Sequence, residues 1–247
     1  MKIINLSKVL SLSLLLTLGA NASHAEKHWG YKGEASPAKW GELKPEFHTC
    51  KDGVNQSPIN LTNFVDGDLK DIKYDYKTGS TDIVNNGHTV QVNMASGSSI
   101  EVDGIKFELK QFHFHTPSEN NINGESFPLE AHFVHASKDG ELAVVALMFK
   151  DGKANDNLAK LWSKMPMKAG DKNTLKIEDV TSILPKGREY YRFNGSLTTP
   201  PCTEGVRWIV LEDAVTLSKE QKEIFAKVMG HANNRPIQAT NARVIIK

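Results

Sequence analysis

Two short stretches carry most of the information in this chain: QFHFH at residues 111–115 and EAHFVH at residues 130–135. Both combine aromatic, β-branched and histidine residues, which is typical of buried β-strands. Side chains alternate between the two faces of a strand, so His113 and His115 share one face of the first stretch. In the second stretch the first of the two histidines shares a face with the glutamate, and the second points to the opposite face.

If the two strands are neighbours in a sheet, His113, His115 and His132 converge on one point. Three neutral imidazole nitrogens suit a borderline ion such as Zn²⁺, and three protein ligands leave a fourth, tetrahedral position open. An open position is the mark of a catalytic zinc site, because structural zinc is held by four ligands. The alternative is that these are core histidines satisfied by hydrogen bonds. The spacing alone also leaves the chemistry open, since His-x-His occurs in cupins and metallohydrolases as well.

The other patterned segments indicate the fold class. Strand-like runs at residues 106–115, 127–135 and 141–150 predict central strands of one large, twisted, predominantly antiparallel β-sheet. Lys-Asp-Gly at residues 138–140 predicts a hairpin turn between the last two of these strands.

Helix signals are few. An apolar stripe over residues 156–164 predicts one helix. Ser218 and Gln221 form a capping box at the start of another, which Gly230 ends. We find no internal repeat and no linker. The chain is therefore predicted to be mainly β with a few short surface helices (α+β), in a single domain over residues 26–247.

Composition and charge exclude several classes of function. The chain has 247 residues, with 30 lysines plus arginines against 29 aspartates plus glutamates. This near balance argues against nucleic acid or an anionic membrane as a partner. Beyond residue 25, no stretch is long and apolar enough to predict a transmembrane span.

The first 25 residues have the pattern of a secretory signal peptide. Lys2 and Lys8 precede an apolar run over residues 9–18, and SHA at residues 23–25 is a small-x-small cleavage pattern. A membrane anchor is the weaker interpretation, because the run is too short to cross a bilayer. We therefore expect an exported protein, periplasmic or secreted, whose mature chain spans residues 26–247.

Export changes how the two cysteines are interpreted. Cys50 and Cys202 are the only cysteines in the chain. In an oxidising compartment, an isolated pair is expected to form one disulfide. The alternative is two free, buried thiols, because the sequence does not show whether the geometry permits the bond.

A second constellation, GSLTTPPCTEGVRWIV, lies far downstream at residues 195–210. On its own it would be interpreted as a proline-rich turn between strands. Together with the histidine strands, QSP at 56–58, NNGH at 85–88 and NNRP at 233–236, it closely resembles the α-class carbonic anhydrases, in particular their exported bacterial members. The resemblance extends from Trp29 to the last few residues, in the order of the family's motifs.

The resemblance implies an enzyme with one Zn²⁺ per chain that reversibly hydrates carbon dioxide to bicarbonate and a proton. In this family zinc lowers the pKa of its bound water, so that a hydroxide nucleophile exists at neutral pH and attacks carbon dioxide. The resemblance further implies weak hydrolysis of activated aryl esters and inhibition by sulfonamides and anions. A homodimer is expected by analogy with exported bacterial members.

Five residues of the two histidine strands match the family's metal site. His113, His115 and His132 match the zinc ligands. Gln111 and Glu130 match residues that each accept an imidazole N–H and so fix the tautomer and orientation of a ligand.

Thr198 and Glu119 match the family's gatekeeping pair. Ionised Glu119 can only accept a hydrogen bond, so it takes the Thr198 hydroxyl proton and leaves the Thr198 oxygen to orient the zinc hydroxide. Thr199 matches a second polar residue that faces bicarbonate. The apolar wall for carbon dioxide is matched by Val134, Val144, Leu197, Val206 and Trp208. Without the resemblance, Glu119 would be an ordinary loop carboxylate and the wall would be core residues.

His88 matches the family's proton shuttle. Direct release of protons to bulk water is too slow for rapid turnover, and a histidine titrates in the right range to act as a relay. Without the resemblance it would be a plain turn histidine. Tyr31, Asn86 and Gln91 lie where polar groups order the water chain to the shuttle.

Two positions depart from the family's pattern. Asn120 stands where the family usually has a histidine, so the hydrogen bonding that supports the Glu119 loop is expected to differ. Gln91 replaces a more usual asparagine, which bears on proton transfer and leaves the zinc site intact. Cys50 and Cys202 fit the disulfide of exported members.

The main alternative is a non-catalytic zinc-binding or interaction module with a carbonic anhydrase fold, of the kind that arises when a zinc histidine is lost. The three histidines, Glu119 and Thr198 are all present, which argues against it. An exported zinc-storage protein would carry His-rich or acidic tracts, and none is present. A zinc hydrolase of another kind fits the histidines but gains little support from the threonine loop.

Overall fold

The computed structural model describes residues 28–247. The predicted signal peptide and its cleavage point lie outside the described residues. No helix within residues 28–247 has the length and apolar character needed to cross a membrane.

The described chain is mostly β-structure. Its strands are β1 Asn60–Leu61, β2 Lys73–Asp75, β3 Ser80–Asn85, β4 Val90–Met94, β5 Ser99–Val102, β6 Ile105–His115, β7 Asn121–Ile122, β8 Leu129–Ser137, β9 Leu142–Asp151, β10 Lys172–Thr174, β11 Tyr190–Ser196, β12 Glu204–Leu211 and β13 Val215–Leu217. Its α-helices are α1 Trp40–Leu43, α2 Thr49–Asp52, α3 Asp156–Trp162 and α4 Lys219–Met229. Single 3₁₀ turns lie at Gly33–Ala35, Pro37–Lys39, Pro45–Phe47 and Thr181–Ile183.

One 11-stranded sheet organises the molecule. Its main path is β10-β3-β4-β6-β8-β9-β12-β11, with β2, β5 and β13 paired beside it. Neighbours are antiparallel except at β9, which pairs in parallel with β12 and β13. Parallel neighbours need a long crossover, and the chain between β9 and β12, which contains α3, supplies it. The predicted single domain with a predominantly antiparallel sheet is confirmed, and the sheet is a mixed one.

The predicted central strands are confirmed as β6, β8 and β9, which are direct neighbours. β8 begins at Leu129, two residues later than predicted, because Pro128 has no N–H to donate to a strand ladder. β9 is buried on both faces: Val145 packs in one hydrophobic cluster and Val144 in another. This two-sided burial explains why its sequence is apolar throughout rather than alternating.

Alternation along β6 and β8 separates two environments. Phe112, Phe114 and Phe133 pack in the larger hydrophobic cluster, which also receives Leu158 of α3 and Phe225 of α4. The three predicted metal ligands extend from the opposite face of the same strands. The aromatic residues therefore pack the sheet against its helices, and the three histidines lie on the opposite face.

The two predicted helices are confirmed as α3 and α4. The Ser218 hydroxyl accepts a hydrogen bond from the Gln221 main-chain N–H, and the Gln221 side chain accepts from the Ser218 N–H. Gly230 ends α4 with φ of 69°, in the left-handed region that glycine adopts without steric cost. α3 ends at Trp162, before the predicted limit.

The predicted disulfide is confirmed. Cys50 in α2 and Cys202 in the loop before β12 are bonded, with their Cα atoms 5.0 Å apart. The Cys202 N–H donates to the Thr199 carbonyl at 2.8 Å. The disulfide therefore ties the threonine loop to the N-terminal part of the domain.

Candidate metal centre

Three histidines converge where β6 and β8 run side by side. In the antiparallel register His113 lies directly opposite His132, and His115 lies opposite Glu130. One nitrogen from each of the three imidazoles lies within 4.8 Å of the others. The structure therefore brings together the three ligands that the sequence predicts.

The second nitrogen of each ring faces an oxygen. His113 Nδ1 lies 2.8 Å from Gln111 Oε1, and His132 Nε2 lies 2.8 Å from Glu130 Oε1. His115 Nδ1 lies 2.7 Å from the main-chain oxygen of Asn233. These oxygens are placed to accept ring N–H groups. This arrangement leaves Nε2 of His113, Nδ1 of His132 and Nε2 of His115 as the nitrogens that can bind a metal.

The residues present fit a zinc ion. His115 Nε2 is buried and has no hydrogen-bond partner among residues 28–247, which is costly unless a ligand takes its lone pair. Burial lowers the pKa of His115, and burial together with the two neighbouring imidazoles lowers the pKa of His113 well below its ordinary value. A lowered pKa favours the neutral form of these two rings, which is the form that binds a metal. Three nitrogen donors without a thiolate match a catalytic rather than a structural zinc site.

Glu130 is held by a dense set of donors. It is fully buried and accepts from the main-chain N–H groups of Glu119 at 2.6 Å and Asn120 at 2.9 Å, and from Asn120 Nδ2 at 2.8 Å. Burial alone would raise the pKa of Glu130, but His132 and Asn120 outweigh it and lower the pKa. Asn120 Oδ1 in turn accepts from the Ile59 N–H at 3.1 Å. Asn120, one of the departures from the family pattern, thus supports the carboxylate behind His132.

Glu119 lies beside the ligands and is 1% exposed. Its Oε2 lies 3.4 Å from His115 Nε2 and 3.8 Å from His132 Nδ1, and its Oε1 accepts from the Arg235 main-chain N–H at 2.8 Å. Burial raises the pKa of Glu119 to about 7, against the opposing effects of His132 and of a side-chain hydrogen bond from Thr198. The Thr198 side chain is thus near enough to Glu119 to lower the pKa of its carboxyl group.

The five predicted wall residues belong to one hydrophobic cluster, on the same face of the sheet as the histidines. The buried members of this set are Val144, Val206 and Trp208, and the partly buried members are Val134 and Leu197. The ring of Trp208 meets that of His132 edge to face, with centroids 4.9 Å apart. Thr199 is partly buried in the loop that follows Leu197.

His88 is half-buried at the end of the turn before β4. Asn86 Oδ1 accepts from the main-chain N–H groups of His88 and Thr89, both at 2.9 Å, so this side chain shapes the turn. The His88 ring stacks on Trp29, with centroids 3.7 Å apart and planes 10° from parallel. Burial lowers the pKa of His88, and the charges of His231 and His28 lower it further.

The other two predicted relay residues occupy different positions. Gln91 pairs with His113 across β4 and β6, and its Nε2 donates to Asn93 Oδ1 at 2.7 Å. Tyr31 packs edge to face against Trp29 and Trp40. Burial, and then the charge of Glu119, raises the pKa of the Tyr31 hydroxyl. Gln91 thus adjoins the ligands, and Tyr31 lies in the aromatic cluster that carries His88.

Two residues of the site were missed from the sequence. Asn233 provides the acceptor for His115, and Arg235 provides an N–H for Glu119. Both contacts are made by main-chain atoms, which every residue type carries, so the residue types alone do not predict these two roles. The NNRP motif at 233–236 is the only signal in the sequence that could have found them.

Comparison with known proteins agrees with this geometry. The family model of the eukaryotic-type carbonic anhydrases matches residues 35–247. The carbonic anhydrase of Pectobacterium carotovorum is 47% identical over 239 residues, which cover 96% of this chain and 98% of the relative.

Solved structures show the same similarity. The α-carbonic anhydrase of Thermovibrio ammonificans, in complex with the inhibitor sulfanilamide, matches with a TM-score of 0.87 at 49% identity, over 89% of this chain and 99% of that chain. A hyperthermostable carbonic anhydrase from an active hydrothermal vent chimney matches with a TM-score of 0.86 at 54% identity, over 89% and 99% of the two chains. The chain therefore belongs to the family of α-class, eukaryotic-type carbonic anhydrases.

Proposed function

We propose that this protein reversibly hydrates carbon dioxide to bicarbonate and a proton at a zinc site formed by His113, His115 and His132. The observation that carries the proposal is the convergence of three ring nitrogens, each on a histidine whose other nitrogen faces an oxygen. Membership of the family supports the same reaction, since relatives that match almost the whole chain are named carbonic anhydrases.

One Zn²⁺ per chain would be held by Nε2 of His113, Nε2 of His115 and Nδ1 of His132. When bound, zinc supplies the Lewis acidity that makes water a nucleophile at neutral pH. Gln111 and Glu130 hold two of the rings in the tautomer that binds a metal, because each presents an oxygen to the outer ring nitrogen.

Glu119 and Thr198 would orient the nucleophile and select what binds beside it. Ionised Glu119 accepts the Thr198 hydroxyl proton, so Thr198 Oγ1 has only lone pairs left to offer. A group that carries a proton can donate to this oxygen, whereas a group without one meets lone-pair repulsion. We assign Thr199, the next residue of the loop, as the second polar contact of bicarbonate.

The wall of five apolar residues would hold carbon dioxide. This molecule makes few hydrogen bonds, so a surface that keeps water away costs it little and favours its binding over that of water. Trp208 places this wall next to His132, where the rings are 4.9 Å apart. Carbon dioxide would therefore lie beside the metal ligands and not at a distance from them.

His88 would carry protons between the site and bulk solvent. An imidazole accepts and releases a proton in the neutral range, which is what a relay requires. Stacking on Trp29 holds the ring half-buried at the edge of the domain. Tyr31, Asn86 and Gln91 are proposed to order the water that connects the ring with the metal centre.

The test is stopped-flow hydration of carbon dioxide on the mature chain, with zinc content measured on the same sample. We expect about one zinc per chain, rapid hydration, loss of activity on chelation and recovery on adding zinc. Thr198→Ala should slow hydration by on the order of 100-fold at unchanged zinc content, because the nucleophile loses its orientation. Thr203→Ala, in an exposed residue of the same loop, is the control and should not slow it.

Two outcomes would contradict the proposal in different ways. Stoichiometric zinc without hydration above the buffer blank would favour a non-catalytic zinc-binding module. A chain that takes up no zinc would show that the three histidines are structural.

The remaining expectations follow from the family. We propose that sulfonamides and anions inhibit this chain, as sulfanilamide is named the inhibitor of the Thermovibrio relative, and that activated aryl esters are weak substrates. We also propose export of a catalytic domain spanning 26–247; the disulfide is compatible with an oxidising compartment. N-terminal sequencing of the exported protein tests the cleavage point, and light scattering tests the predicted homodimer.

A further inference from the structure

A three-residue segment, Asn233–Arg235, touches three separate parts of the proposed site; we name it the strap. The Asn233 carbonyl accepts from His115 Nδ1 at 2.7 Å. Asn233 Nδ2 donates to the carbonyls of Phe114 at 2.9 Å and His88 at 3.1 Å. The Arg235 N–H donates to Glu119 Oε1 at 2.8 Å. The strap thus forms hydrogen bonds with a proposed metal ligand, with the loop of the proposed shuttle and with the Glu119 carboxylate.

The strap is anchored by the guanidinium of Arg235, which is 2% exposed. Nη1 donates to Gln56 Oε1 and to the Ser57 carbonyl, both at 2.8 Å, and Nη2 donates to the Cys50 carbonyl at 2.8 Å. The guanidinium also lies over the ring of Trp40, 5.7 Å from its centroid. These contacts fix the strap to the segment that carries the disulfide.

The guanidinium of Arg235 is a buried charge whose hydrogen-bond acceptors are all neutral. All three oxygens that accept from the guanidinium are uncharged, and a buried charge is expensive without a partner of opposite sign in contact. Burial accordingly lowers the pKa of Arg235 to about 10, although the charge of Glu119 opposes the shift. An apolar residue could fill the same volume without this cost, but it could not hold three oxygens in a planar fork.

We propose that Arg235 is a positioning residue, whose guanidinium holds the strap so that His115 and Glu119 are oriented for zinc binding and for ligand selection. The effect on selection rests on the function proposed above, whereas the effect on zinc binding requires only the three histidines. Without the fork, the strap remains attached to the site by the main-chain bonds of Asn233 and Arg235 and by the Asn233 side chain. The Asn233 carbonyl and the Arg235 N–H are then held less firmly. The orientations of their partners, the His115 ring and the Glu119 carboxylate, are therefore no longer fixed.

Arg243 offers a matched control. Arg243 is partly buried, and within residues 28–247 its side chain donates to three main-chain carbonyls, those of Thr240 at 3.0 Å, Asn194 at 3.2 Å and Ala239 at 2.7 Å. Burial lowers its pKa as well. Its hydrogen bonds do not reach His115 or Glu119, so it reports what the loss of a partly buried, hydrogen-bonded arginine does by itself.

The experiment compares Arg235→Met and Arg235→Lys with Arg243→Met. Zinc affinity is measured by competition with a chromophoric chelator, and selectivity as the ratio of the inhibition constants of thiocyanate, which has no proton to donate, and sulfanilamide. We expect Arg235→Met to weaken zinc binding by on the order of 10-fold, the lower end of the range for partners of metal-bound histidines. The inhibition constant of thiocyanate divided by that of sulfanilamide should become smaller as well, because the site then discriminates less against a ligand without a proton. The zinc affinity and the selectivity of Arg235→Lys should lie between those of the parent and of Arg235→Met, since lysine keeps the charge but cannot donate to three oxygens from one plane.

Arg243→Met should leave zinc affinity and selectivity at the parent values even where it lowers the melting temperature. Equal zinc affinity and selectivity in the Arg235 and Arg243 variants would overturn the proposal. If Arg235→Met does not fold, Arg235→Lys carries the same comparison. A parent chain that binds zinc without hydrating carbon dioxide would refute the proposed function and still allow the zinc comparison to decide on Arg235. A parent that binds no zinc would refute both.

Discussion

His113 and His132 lie directly opposite each other on the neighbouring antiparallel strands β6 and β8. Three residues further along β8, His135 lies on the opposite face, fully buried, with its Nε2 2.7 Å from the Tyr76 hydroxyl. A shift of the register by one residue would exchange the two faces of the strand. The pairing of His113 with His132 is therefore what separates a ligand from a core histidine in one strand.

This separation predicts different effects for two substitutions in β8. His132→Ala should abolish stoichiometric zinc binding, because two imidazoles do not hold the ion tightly. His135→Ala should retain one zinc per chain and lower the free energy of unfolding by about 1–3 kcal/mol, since the buried Tyr76 hydroxyl loses its partner. Zinc analysis and urea unfolding of the two variants measure this. Loss of zinc from His135→Ala at native secondary structure would contradict the assignment of the faces.

Acid should destabilise the protein through His135. Burial lowers the pKa of this ring to about 3, whereas an unfolded histidine has a pKa near 6.5. Between these values the unfolded chain binds a proton that the folded chain does not. The stability contribution is therefore complete above about pH 6.5 and is lost as the pH falls towards 3, by about 1.4 kcal/mol per pH unit.

His135→Gln removes this ionisation and serves as the comparison. The slope of unfolding free energy against pH, measured by urea unfolding of metal-free protein between pH 4 and 6, should be shallower in the variant by one proton. Identical slopes for the parent and variant chains would show that His135 is protonated in the folded state.

The proposed shuttle should respond to its histidine neighbour. Burial, followed by the charges of His231 and His28, lowers the pKa of His88. His231→Gln should therefore raise the pKa of His88, by on the order of a few tenths of a pH unit. A nuclear magnetic resonance titration of the His88 ring measures the shift. His48→Gln, in an exposed histidine that does not contribute to the lowered pKa, is the control.

The disulfide should contribute strongly to stability. It joins Cys50 and Cys202 across a sequence separation of 152 residues, so it restricts the unfolded chain far more than the folded one. The double replacement of both cysteines by serine should lower the free energy of unfolding by about 2–5 kcal/mol. Guanidinium unfolding of the parent, of the reduced parent and of the double variant measures this. A loss below about 1 kcal/mol would indicate that the bond contributes little to the fold.

Signals that act over a few residues predicted local structure well. The capping box of Ser218 and Gln221 and the stop at Gly230 are confirmed, because each depends on neighbours along the chain. The parallel pairing of β9 with β12 and β13 was not predicted. This pairing joins segments that are far apart in sequence. The continuous apolar pattern of a strand buried on both faces does not indicate which strands lie beside it.

Some residues of the site follow from a local pattern in the sequence, and others do not. The sequence alone determined that His113 and His115 share a face and that His132 and His135 do not, because alternation is a property of the extended backbone itself. Glu119, Thr198 and His88 were assigned only through the resemblance to the family, since nothing local distinguishes them from loop residues.

Only the tertiary structure decided which main-chain groups form hydrogen bonds with the residues of the site. The acceptor of His115 is a main-chain carbonyl 118 residues away, and the strap that supplies it is held by a buried arginine whose acceptors include two further carbonyls. Main-chain groups are the same in every residue, so their use as partners leaves no trace in the order of side chains. They become specific only when the folded backbone brings them to the rings and carboxylates that need them.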